Sequence, residues 1–284
     1  MPNAPARHPR SLLFVSGEKA ERFAKALAAG ADLVCIDLED AVHPDRKRAA
    51  REAVFGWLKA NPRPAGGPGL ALRLNGLRTA EGLRDVLALI DSGVHLDWLL
   101  LPKVEDAADV QCVQAWAGWQ FDSVAALVES AQGVENAPQI ARAGGQLGAL
   151  MLGGADLAAE LGAQFGWEGL ASARGRLVNA ARAAGLQAWD VPHIDLADPD
   201  GLADETRRVL ALGFGCKTAI HPRQVPIIHA AFAPAPAEVE WARALLQALP
   251  EGEAASGAFI FEGRMVDAPV LRKARRIVEL ARLS

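Results

Sequence analysis

The sequence predicts an α/β fold, a (β/α)8 TIM barrel with a C-terminal helical extension, on three observations. Eight strand-length apolar runs recur along the chain. Segments with helical spacing separate most of them, and a polar residue stands near the end of each run.

The runs are "SLLFV", "LVCIDL", "GLALRL", "WLLLPKV", "VAALVES", "LGALMLGG", "QAWDVP" and "CKTAIHP". Each is nearly apolar throughout rather than alternating, as a parallel strand covered on both faces requires. Between them lie helical candidates such as "KAERFAKALAAG", "PDRKRAAREAVFGWLKA", "TAEGLRDVLALIDSG" and "ADETRRVLALG". Gly30, Gly93, Gly185 and Gly213 stand where a left-handed residue would stop a helix. Eight strands with their helices over roughly 220 residues suit a barrel, which needs about 250. A doubly wound open sheet is the rival. It usually has fewer strands and a G-x-G-x-x-G turn after the first, and no such turn is present. The barrel is placed at residues 10–232. The extension, 233–284, holds "APAPAEVEWARALLQAL", a Gly/Ala/Glu-rich bend at Glu251–Ala258, then a hairpin-like apolar piece and a helix in "FIFEGRMVDAPVLRKARRIVELARL".

The 284 residues are 51% hydrophobic and 23% charged, enough for a large core. A net charge of −4 argues against nucleic acid as the main partner. Cys35, Cys112 and Cys216 form no C-x-x-C pair, which argues against a thiolate zinc site and a disulfide scaffold. Cys35 and Cys216 lie in apolar runs and read as packed thiols. The opening "MPNAPARHPR" lacks the apolar core of a signal peptide, and no run reaches membrane-spanning length. The expectation is a soluble, cytoplasmic protein with no membrane partner. Seven Trp with no Tyr is an unusual composition that carries no functional reading.

In such a barrel the carboxyl ends of all eight strands share the catalytic face. Those ends carry Ser16, Asp37 with Glu39, Arg73, Lys103, Glu129, Asp156, Asp190 and His221. Histidines do not cluster with metal-ligand spacing, so an oxygen-only metal site is the natural reading. Two carboxylates, Glu129 and Asp156, with substrate oxygens and water would hold Mg²⁺. Arg73 offers a planar fork that matches a carboxylate, which suits a 2-oxo or 2-hydroxy acid.

The stretches "RSLLFVSGEKAERFAKAL", "GADLVCIDLEDAV", "LRLNG", "LPKVEDAADV", "ALVESAQGVENAPQIA", "LGGADLAAELG", "AIHPRQVPIIHAAFAP" and "GRMVDAPVLRKAR" run in order from Arg10 to Arg276. With them the chain resembles the citrate lyase β-subunit (citryl-CoA lyase) family, within the HpcH/HpaI aldolase and malyl-CoA lyase group. The resemblance implies a Mg²⁺-dependent carbon–carbon lyase acting on CoA or acyl-carrier thioesters. Glu129 and Asp156 would bind the metal and Arg73 would clasp the oxoacid, with Glu39 and Lys103 also lining the substrate site. It further implies that Asp267, in "GRMVDAPV", is the acid/base, that the tail reaches a neighbouring subunit, and that the chain is a homo-oligomer, a trimer in the family. Partnership with other citrate lyase subunits is a further implication. Two positions depart from the family pattern: "VSG" replaces "VPG" after the first strand, and "LGGADL" replaces "GAEDL", so a second acid beside Asp156 is missing.

Plainer readings stand beside these. Asp156 and Asp267 each precede a helix, where capping is the alternative. Glu129 has a structural ion pair as its alternative role. Asp37, grouped with the catalytic residues, reads together with Glu39 as an orienter of Arg73. Lys103 could pair with Glu105 at the rim, and His221 could anchor its loop. The rival functions are a CoA-free metal-dependent aldolase of 2-oxo-4-hydroxy acids, a malyl- or citramalyl-CoA lyase, and a non-catalytic barrel.

Overall fold

A computed structural model describes residues 9–62, 66–249 and 258–282. Most of the predicted bend at Glu251–Ala258, and the start of the opening decapeptide, lie outside the described residues.

Eight parallel strands close into a barrel in sequence order. They are β1 (Ser11–Ser16), β2 (Leu33–Asp37), β3 (Gly69–Arg73), β4 (Leu96–Leu101), β5 (Phe121–Val128), β6 (Leu147–Leu152), β7 (Gln187–Asp190) and β8 (Cys216–Ala219). Every predicted apolar run overlaps one of them. Helices α1 (Phe23–Leu27), α2 (Lys47–Ala60), α3 (Ala80–Ser92), α4 (Ala107–Ala117) and α5 (Ala131–Ile140) follow the first five strands in turn. Two helices, α6 (Gly154–Glu160) and α7 (Trp167–Ala183), follow β6, and α8 (Pro199–Leu212) and α9 (Gln224–Phe232) follow β7 and β8. Of the predicted stops, Gly93 and Gly213 cap α3 and α8 in the left-handed conformation, while Gly30 and Gly185 take positive φ just past the caps Ala28 and Ala184.

One side of the strands faces inward. Leu12, Leu33, Cys35, Ala71, Leu100, Ala125, Leu127, Ala149, Met151 and Cys216 pack there around Trp98 and Trp189. The two indoles meet at 4.6 Å between ring centroids. Trp189 donates its indole N–H to Gln187 at 2.7 Å, so its polar edge is satisfied inside the apolar interior. Gly148 makes room for this pair, since a Cβ there would lie 2.7 Å from the Trp98 ring. Two of the seven tryptophans are therefore barrel filling. The strands' other side packs against the helices through a second buried cluster that includes Ile36, Leu72, Leu99, Val124 and Leu150. Both buried cysteines behave as packed thiols, their pKa raised by burial.

The chain divides into two compact units, residues 1–228 and 229–284, with the boundary inside α9. The second unit contains α10 (Pro236–Gln247), α11 (Ala268–Ala281), and the antiparallel hairpin of β9 (Phe259–Phe261) and β10 (Arg264–Val266). Glu262 and Gly263, both at positive φ, make its two-residue turn. Ala242, Leu245, Val266, Leu271, Ala274 and Ile277 form the core of this unit. No described helix is long and apolar enough to cross a membrane.

Trp189 is fully buried in the barrel interior. Trp189→Ala is expected to destabilise the barrel by about 3–5 kcal/mol, seen as a lowered midpoint in urea unfolding.

Candidate active site at the carboxyl ends of the strands

The register of the barrel places Asp37 directly beside Arg73. Arg73 donates from Nε to Asp37 Oδ1 at 2.7 Å and from Nη2 to Oδ2 at 2.6 Å, a bidentate fork. Its Nη1 lies 2.9 Å from Glu39 and 3.5 Å from Asp40. The guanidinium also rests over the Phe14 ring, 5.0 Å from its centroid. Burial opposes the charge on Arg73, yet Asp37 and Glu39 outweigh it and raise the pKa. Asp37 is buried and also accepts the backbone N–H of Glu39 and of Ala41. Both oxygens of Asp37 are thus engaged, an arrangement that suits the orienting role toward Arg73.

A second group assembles around Lys103, just beyond β4. Its ammonium donates to Asp156 and lies 3.4 Å from Glu39 and 4.0 Å from Glu129. Its backbone N–H donates to Glu129 Oε2 at 2.9 Å. The expected rim pair with Glu105 is not made; Glu105 instead meets Arg78 at 3.2 Å and accepts from Ser130. Burial is the main cause that raises the pKa of Glu129, partly offset by Arg73 and Lys103. Glu39 is pushed up to about 8, chiefly by burial, with Arg73 opposing and Asp40 and Glu129 adding to the rise. Gly153 is dictated by Glu129, because a Cβ there would sit 2.1 Å from Glu129 Cγ. Asp156 does not cap α6: the N-cap is Gly153, and Asp156 stands in the first turn. Glu129 and Asp156 thus converge on the Lys103 ammonium, and their oxygen donors are of the kind Mg²⁺ takes. Among the described residues no three His, Cys, Asp or Glu side chains form a ready metal cage. A cation here would complete its shell with water and substrate oxygens.

The remaining strand-end residues do other work. Ser16 donates to the Ala41 carbonyl at 2.6 Å. His221 anchors its own loop, its Nδ1 accepting the Arg223 N–H at 3.2 Å. Asp190 is fully buried and bonds Arg174 at 2.8 Å and Lys217 at 2.7 Å. Burial works against its charge, but Lys217 and Arg174 more than offset this and lower the pKa. Glu205 joins this network through both cations and holds His193 at 2.9 Å. His193 escaped the sequence reading because a lone histidine in a loop carries no spacing signal. Asp267 lies in the second unit and caps α11, accepting the Val270 N–H at 3.2 Å.

The HpcH/HpaI aldolase/citrate lyase family model matches residues 10–222. The chain belongs to this family. It is 38% identical over 276 residues to a citrate lyase subunit beta-like protein of Mycobacterium tuberculosis, covering 95% of this chain and 94% of that protein. It is 34% identical over 311 residues to an L-malyl-CoA/beta-methylmalyl-CoA lyase of Cereibacter sphaeroides, covering 99% and 97%. Among solved structures, the M. tuberculosis CitE protein in complex with magnesium, acetoacetate and coenzyme A superposes with a TM-score of 0.81 at 36% identity, covering 97% and 99% of the two chains. The M. tuberculosis citrate lyase beta subunit complexed with oxaloacetate and magnesium gives 0.70 at 35% identity, covering 81% of this chain and 99% of that one.

Removing Asp37 leaves Arg73 buried without its fork partner. Asp37→Ala is expected to cost about 3–5 kcal/mol of stability, read by urea unfolding of the full chain.

Proposed function

We propose that this member of the family is a Mg²⁺-dependent carbon–carbon lyase. Its substrate is a 3-hydroxyacyl thioester of CoA, citryl-CoA-like, with a carboxylate on the hydroxyl-bearing carbon. The products are a 2-oxoacid such as oxaloacetate and an acetyl thioester. The observation that carries this reading is the convergence of Glu129 and Asp156 on the Lys103 ammonium, with the Arg73 guanidinium acting on Glu129, at the carboxyl end of the barrel strands. The relatives that bind magnesium with oxaloacetate, or with acetoacetate and coenzyme A, support it.

Glu129 and Asp156 would hold the metal, which when bound supplies a Lewis acid for the substrate's hydroxyl and adjacent carboxylate oxygens. Arg73 binds that carboxylate. Its fork to Asp37 stays intact, and the anion displaces Asp40, the longest of the three carboxylate contacts and the most exposed partner. Asp267 takes the hydroxyl proton as the carbon–carbon bond breaks, and it is this proton that the enolate later receives. The bond's electron pair passes to the thioester, giving an enolate. Arg73 stays charged throughout and balances the negative charge of the bound acid. Asp267 returns a proton to the enolate carbon, and it comes from the C-terminal unit of a neighbouring copy in a homo-oligomer.

Calorimetric titration with oxaloacetate tests the site. Binding is expected with Mg²⁺, and its loss is expected with EDTA and in Glu129→Ala; metal-independent binding would overturn the assignment. Asp267→Asn is expected to abolish turnover while oxoacid binding survives. Mixing Asp267→Asn chains with Glu129→Ala chains should restore part of the activity if the acid is donated between copies. Acetyl thioester release from citryl-, malyl- and citramalyl-CoA fixes the acyl group, and pyruvate release from a CoA-free 2-oxo-4-hydroxy acid would favour the aldolase reading.

A further inference from the structure

The geometry points to Lys103 as a resident cation: its ammonium holds the divalent-metal position in the metal-free protein and is displaced when the metal binds. This deepens the reading that Glu129 and Asp156 hold the metal, and rests on it.

Three carboxylates from three strand ends surround this one ammonium. Asp156, after β6, accepts from it directly; Glu39, after β2, is at 3.4 Å; Glu129, after β5, is at 4.0 Å. Left alone, carboxylates this close repel one another and burial adds to the cost of their charge. A cation among them relieves both costs, and Lys103 supplies one.

The backbone of Lys103 is committed to the same place. Its φ is +55°, in the left-handed region that side-chain-bearing residues rarely adopt. That conformation goes with a backbone N–H donated to Glu129 Oε2 at 2.9 Å. Main chain and side chain of one residue therefore address the same carboxylate group.

Of the two cations in the site, only Lys103 is free to leave. The Arg73 side chain is only 12% exposed and is held by the bidentate fork to Asp37. The Lys103 side chain is 49% exposed, on a flexible four-carbon stem, and its ammonium is a point charge with no fixed fork. A divalent cation between Glu129 and Asp156 brings like charge against the ammonium. Lys103 then moves out toward solvent. Glu39 keeps Arg73 as its partner when this happens, so the exchange leaves no carboxylate without a cation. Apparent metal affinity is accordingly weakened by the share of molecules in which Lys103 fills the position.

Mn²⁺ binding, followed by paramagnetic resonance and calorimetry, tests this on the full chain together with Lys103→Met and Lys103→Gly. The glycine variant fits the left-handed backbone and keeps the N–H to Glu129, so it separates the ammonium from the fold. Both variants are expected to bind Mn²⁺ about tenfold more tightly, as removal of a blocker present in roughly nine molecules of ten would give. In the wild-type chain, acylation of Lys103 by an amine-selective reagent, measured by mass spectrometry against the exposed Lys59, should accelerate when Mn²⁺ is added. Mn²⁺ binding to the wild-type chain with Lys103 acylation unchanged, or with no gain in affinity in either variant, would overturn the exchange and leave the metal site standing. Absence of Mn²⁺ binding in all three folded chains would overturn the exchange together with the metal site. Binding by the variants alone supports the exchange in its strongest form.

Discussion

The paired charges at the carboxyl ends of the strands are the constraint on which the rest of the site depends. Asp37, Glu39 and Glu129 are all buried, and a buried carboxylate without a partner is costly. Two cations offset that cost. Arg73 satisfies Asp37 through a fork set by the β2–β3 register, and Lys103 answers Asp156, Glu39 and Glu129 together. The two cations differ in kind. One is a rigid planar group locked into the barrel wall, and the other is a mobile point charge at the rim.

That difference gives the site its working logic. In the proposed reaction the locked guanidinium would meet the acid's carboxylate, and the half-exposed ammonium would yield its place to the metal. The apolar interior below, filled by Trp98 and Trp189, keeps the strand ends in register, and Gly153 gives Glu129 the space it occupies. The departure "LGGADL" thus keeps the glycine that Glu129 needs, while the neighbouring acid common in the family is absent. The network of Asp190, Arg174, Lys217 and Glu205 joins β7, α7, β8 and α8 by buried charge pairs, so it braces the wall on that side.

Much of this was legible in the residue order. Continuous apolar runs bounded by helical segments admit few architectures, and a parallel strand shows its end where the apolar run gives way to charge. Asp37, Arg73, Glu129 and Asp156 could therefore be placed on one face before any coordinates. Glycine stops and the hairpin-like piece of the extension were equally local signals. What stayed hidden were partners. Lys103 was as close in sequence to Glu105 as to any acid, yet it bonds Asp156, 53 residues away. Asp190 looked like another member of the catalytic ring, and the fold turned it onto Lys217 and Arg174, toward the helix layer. Asp267 preceded a helix and does cap it.

By itself the sequence determined the barrel, the order of its strands and the set of side chains delivered to one face. These follow from apolar periodicity and strand ends, which are local properties of the chain. Only the tertiary structure decided which charge meets which. Ion pairs are chosen by strand register and barrel closure, which bring together residues 36 and 53 positions apart at hydrogen-bond range. Electrostatic pairing depends on that three-dimensional distance and on burial, and neither is written in the order of residues.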